Sequence, residues 1–84
     1  MYNLKVIPSA QKDLDSLERH VLDRIKPKMI ALKTDPRPEG SVKLTGEEGY
    51  RIRIGDYRVL YRVDDASRII YFYRIKHRKE VYRA

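Results

Sequence analysis

The chain has no cysteine, no tryptophan and only two histidines among its 84 residues. Without thiols, disulfide staples and thiolate metal centres are excluded, a composition that suits a reducing compartment. His20 and His77 do not form a His-x-x-x-His pair, and no carboxylates share a face with either at ligand spacing, so no metal is expected. Neither a glycine-rich phosphate loop nor a nucleophile elbow is present. Long apolar runs are missing too: nothing approaches the roughly 18 residues of a membrane span, and the Met1 end lacks the basic-then-apolar pattern of a secretory leader. These absences predict one soluble, cytoplasmic domain over residues 1–84, with no membrane partner and no small-molecule cofactor.

What the chain has in excess is positive charge, and it is unevenly placed. The net charge is +7, yet residues 1–49 carry only +1 while residues 50–84 carry +6, and eight of the ten basic residues in the second half are arginine. The planar fork of arginine suits phosphate. No amphipathic basic helix carries the charge, so a nucleic acid is the anionic partner to expect rather than a membrane surface.

The basic half is built around Tyr50-Arg51-Ile52-Arg53-Ile54-Gly55-Asp56-Tyr57-Arg58-Val59-Leu60-Tyr61-Arg62-Val63. Apolar residues and arginines alternate on both sides of Gly55-Asp56, the period of a half-buried hairpin. Tyr50, Ile52 and Ile54 share one face with Tyr57, Val59, Tyr61 and Val63; Arg51, Arg53, Arg58 and Arg62 point to the other.

Around this hairpin, Tyr2 to Ile7 alternates and stops at Pro8, reading as a first strand. Ser9 is placed to cap a helix carrying Ala10, Leu14 and Leu17. A second helical run aligns Leu22, Ile25, Met29 and Leu32, and Pro27 inside it predicts a kink or break near residues 23–26. An antiparallel helix pair is favoured, and one long bent helix is the alternative. Residues 35–41 are a connector dense in turn formers. Val42-Lys43-Leu44 starts a short strand, Asp64-Asp65 reads as a structural turn, and Arg68 to Lys76 forms a last strand apolar on both faces. The fold class is α+β: a small antiparallel sheet in β-α-α-β-β-β order with a helical hairpin on one face.

With metal, paired acids and nucleophile motifs set aside, the chemistry left is that of Arg, Tyr and His. Arg51, Arg53, Arg58 and Arg78 suit phosphate clamping and charge stabilisation rather than base catalysis. RNA can be cut without metal, because its own 2′-OH attacks the adjacent phosphorus once held in line. Tyr82 and His77 are the candidate proton carriers, the tyrosine needing its pKa lowered by neighbouring cations. Each residue also has a plainer reading: a solvated strand position for Arg51 and Arg53, an ion pair for Arg58, packing for Tyr82, a surface imidazole for His77.

Lys43-Leu44-Thr45-Gly46, the hairpin Tyr50 to Tyr61, and Ile75-Lys76-His77-Arg78-Lys79-Glu80-Val81-Tyr82 together resemble the successive blocks of the RelE branch of the RelE/ParE toxin superfamily. The resemblance implies the toxin of a type II toxin-antitoxin pair, a metal-independent mRNA endonuclease acting in the ribosomal decoding site. Its implied partners are the ribosome, mRNA and a cognate antitoxin with a small acidic or amphipathic segment. It casts Arg58, Arg78 and Tyr82 as catalytic, and Arg51, Arg53, Lys76 and His77 as RNA-binding. Arginine at 51 and 53, where the family often carries lysine, moves any general base to Tyr82 or leaves electrostatics to do the work. The competing expectation on the same scaffold is a non-catalytic ParE-like gyrase inhibitor or a basic RNA-binding module.

Overall fold

The structure is a computed structural model and describes residues 1–78. Its elements are β1 (Asn3–Val6), α1 (Pro8–Asp15), α2 (Arg19–Ala31), β2 (Val42–Lys43), β3 (Tyr50–Ile54), β4 (Tyr57–Asp64) and β5 (Ile69–His77). They form one five-stranded sheet in the order β1-β5-β4-β3-β2. Strands β2 to β5 make the expected antiparallel meander, while β1 lies parallel to β5, pairing Asn3 with Ile69 and Val6 with Phe72. No helix of the described residues is long and apolar enough to cross a membrane.

Two helices form, as favoured, but their boundaries have other causes than expected. Proline takes the first position of α1, where its missing N–H is harmless, and Ile7 rather than Ser9 precedes the helix. Ser9 instead donates its hydroxyl to the Tyr73 carbonyl of β5, at 2.7 Å. Ser16 closes α1 by donating to the Asp13 carbonyl, and the extended backbone of Glu18 starts α2. Pro27 does not break α2. The bond it forfeits is to the carbonyl of Asp23; both residues are exposed on the outer face, where water serves that carbonyl.

Helices and sheet meet over Ala10, Leu14, Ile25, Met29 and Leu32 on one side and Ile52, Ile54, Val59, Tyr61, Ile70, Phe72 and Ile75 on the other. The hairpin turn is two residues long: Ile54 pairs with Tyr57, and Gly55 has φ +60°, a left-handed position that glycine fills without strain. β5 looks apolar on both faces in sequence because it carries a bulge. Tyr61 pairs with Phe72 and Leu60 with Arg74, which leaves Tyr73 as an extra residue and shifts the inward set from Ile70 and Phe72 to Ile75.

Candidate nucleic-acid interface

The sheet face turned away from the helices carries the basic side chains, and strand register sorts them into rows. Arg53 pairs with Arg58, and Arg58 pairs with Lys76. Three cations therefore stand abreast on adjacent strands, about 5 Å apart at the backbone. The next row is Arg51, Leu60 and Arg74. Leu60 is buried yet lies outside the helix-facing core, so this row has an apolar centre flanked by two guanidinium-bearing residues. A third row pairs Arg62 with Tyr71, and the Arg62 guanidinium sits 5.1 Å from the centroid of that ring.

The first row is held at the hairpin end. Arg53 donates from Nε to the Gly55 carbonyl at 3.2 Å. The backbone N–H of Arg78 donates to the Asp56 carbonyl at 2.6 Å, tying the end of β5 to the β3–β4 turn. Exposed Arg78 lies two residues beyond Lys76. At the other end of this face, Tyr73 donates its hydroxyl to the Glu48 carbonyl at 3.1 Å, and Glu48 also approaches Arg62 at 3.9 Å. Burial raises the Tyr73 phenol above its ordinary pKa, with Glu47 adding to the effect.

Of the sequence-predicted residues, Arg51, Arg53, Arg58 and Lys76 therefore come together on one surface, with Arg78 at its edge. His77 does not join them. It pairs with Tyr57 on the helix side of the sheet, meeting that ring edge-on at a centroid distance of 5.0 Å. There it lines a cleft of about 240 Å³ with His20, Arg24, Ile54 and Asp56. Strand alternation makes this unavoidable once Lys76 faces outward. Tyr82 lies outside the described residues.

Sequence reasoning missed Arg74 and Asp13, whose carboxylate accepts from Arg74 Nε at 2.8 Å. Only the bulge, which no spacing in the sequence announces, brings this pair into play. Asp64 and Asp65 hold turns as expected: the Ser67 side chain and backbone N–H lower the carboxyl of Asp64, and Arg37 followed by the Tyr2 hydroxyl lowers that of Asp65. Among the described residues no group of three or more His, Cys, Asp or Glu is placed to hold a metal ion. A row of guanidinium and ammonium groups can bind a phosphodiester and stabilise charge gathering on it, and an ammonium can also move a proton.

Comparison with known proteins agrees with this geometry. A family model described as the ParE toxin of the type II toxin-antitoxin system parDE matches residues 4–82. A Methanocaldococcus jannaschii protein named as toxin RelE1 is 35% identical over 86 residues, covering 98% of this chain and 96% of its own. The RelE–RelB complex from Pyrococcus horikoshii contains a chain that superposes with a TM-score of 0.80 at 31% identity, covering 99% of this chain and 98% of that one. The RelBE2 toxin-antitoxin complex from Mycobacterium tuberculosis gives 0.81 at 28% identity, with coverages of 92% and 98%.

Proposed function

Because this chain belongs to the RelE/ParE superfamily of type II toxins, with strong RelE-branch similarity, we propose that it is a ribosome-dependent mRNA endonuclease. The observation that carries this reading is the row Arg53–Arg58–Lys76 on the face away from the helices. The 2′-OH of one nucleotide attacks the adjacent phosphorus, the bond to the 5′-oxygen of the next nucleotide breaks, and the products are a 2′,3′-cyclic phosphate and a 5′-hydroxyl. Arg51 and Arg53 hold the backbone, and Arg58 stabilises the charge on the five-coordinate phosphorus. Lys76 and Arg78 complete the cationic rim, and Tyr82 is the proposed proton carrier. His77 is assigned to the helix-side cleft rather than to RNA.

The partner that restrains this activity is a cognate antitoxin, whose acidic or amphipathic segment would neutralise the +7 chain. The test is primer extension on translated mRNA after expression of the protein. New 5′ ends inside codons are expected, and a 2′-deoxy nucleotide at the cleaved position should abolish the cut while leaving binding in place. Intact transcripts in poisoned cells would overturn the reading. A second reading, inhibition of DNA gyrase, is favoured by the ParE description of the matching family model. Loss of gyrase supercoiling in the presence of purified protein would select it.

A further inference from the structure

β5 changes face halfway along. Ile70 and Phe72 are fully buried, and an unbroken strand would send Arg74 and Lys76 inward after them. The extra residue at Tyr73 reverses this: Ile75 enters the core at 4% exposure and Lys76 emerges beside Arg58. The bulge therefore sets the phase on which the cationic row depends.

A bulge disrupts its ladder and needs a partner from elsewhere. β1 ends at Val6, so the β5 edge beyond Phe72 has no neighbouring strand. Helix α1 takes its place. Ser9 Oγ donates to the Tyr73 carbonyl at 2.7 Å, and a single carboxylate oxygen, Asp13 Oδ2, accepts from the Ile75 N–H and from Arg74 Nε, each at 2.8 Å. The Asp13 side chain is 19% exposed, so these charge-assisted bonds are shielded from water better than a surface ion pair.

We propose that Asp13 is a positioning residue: from α1 it locks the β5 bulge in the phase that places Lys76 alongside Arg58, and so acts on the phosphate without touching it. The activity arm of this proposal rests on the mRNA-cleavage reading; the structural arm does not.

The experiment compares Asp13→Ala, Asp13→Asn, Lys76→Ala and the Asp13→Ala/Lys76→Ala double variant on mRNA-programmed ribosomes. Asp13→Ala should lower kcat about 10-fold with KM changed less than about twofold, and Asp13→Asn, which keeps one acceptor, should lose about threefold. In the Lys76→Ala background Asp13→Ala should add less than about twofold, because both changes act through the same group. Amide exchange at Ile75 should speed up at least about 10-fold in Asp13→Ala while Ile70 stays protected. Full additivity of the two losses, or an Ile75 amide as protected as in wild type, overturns the proposal. If wild-type protein cuts no mRNA, the functional reading fails alone, and Ile75 exchange still decides the structural arm. Should Asp13→Ala not fold, Asp13→Asn carries the same comparison.

Discussion

The two ends of the sheet use arginine in opposite ways. At the end away from the hairpin turn, Arg37 donates to Asp65 at 2.8 Å and to the Tyr50 hydroxyl at 3.0 Å, and lies 5.2 Å from the centroid of the Tyr50 ring. Tyr2 donates to the same Asp65, Tyr61 donates to the Pro36 carbonyl at 2.7 Å, and the Tyr50 and Tyr61 rings stack at 5.9 Å. One guanidinium there ties together the N-terminus, the 35–41 connector, β3 and the β4–β5 turn. At the hairpin end, Arg53 faces Arg58 and Arg58 faces Lys76. Like charges directly opposite one another destabilise a sheet, and such an arrangement is useful where an anion is to be bound. The contrast separates arginine that closes the fold from arginine that serves a ligand.

The sharpest way to break that contrast is Arg58→Ala. Removing the central cation of the row should lower mRNA cleavage about 100- to 1,000-fold, as removal of a single transition-state donor does elsewhere. The melting midpoint should move by no more than about 3 °C, since a repulsive pair is relieved. A variant that melts far earlier would mean that Arg58 supports the fold as Arg37 does.

At the closed end the largest effect should come from Gly49→Ala. Gly49 has φ +109°, and an added Cβ would fall 2.3 Å from the Tyr61 carbonyl oxygen, a collision between backbones that no rotamer relieves. A loss of about 2–4 kcal/mol in urea unfolding is expected. Arg37→Ala comes next. It strands Asp65 and Tyr50 on a partly exposed surface and should lower stability by about 1–2 kcal/mol, with cleavage per folded molecule unchanged.

The hairpin end was the more legible of the two in sequence. Strict alternation about Gly55-Asp56 places Arg51, Arg53 and Arg58 on one face without any tertiary information, and the structure keeps them there. The closed end could not be read, because Arg37 and Asp65 are 28 residues apart and meet only after the sheet has formed. His77 was grouped with the cations because a tail was expected where the structure extends β5 to that residue. Ser9 has the composition of a helix cap, but Pro8 one place earlier had already fixed the start. The bulge left a trace that was seen and not decoded: the run Ile69 to Tyr73, apolar on both faces, marks the place where the strand changes phase.

The smallest effect concerns pH, and it too belongs to the closed end. Burial raises the Tyr61 phenol to about 12, from an ordinary value of 10. A raised folded-state pKa means that the unfolded chain releases its proton first. The stabilisation is therefore complete below pH 10 and is lost as pH climbs toward about 12. Tyr61→Phe keeps the ring but removes the ionisable hydroxyl that bonds Pro36. At pH 7 it should cost about 1 kcal/mol for that hydrogen bond, and the gap to wild type should shrink between pH 10 and 12. Tyr2 and Tyr73, also raised, remain in both proteins and cancel in the difference. A gap that stays constant across this range would show that the Tyr61 hydroxyl reaches water in the folded protein, and the connector would then be held by Arg37 and Asp65 alone.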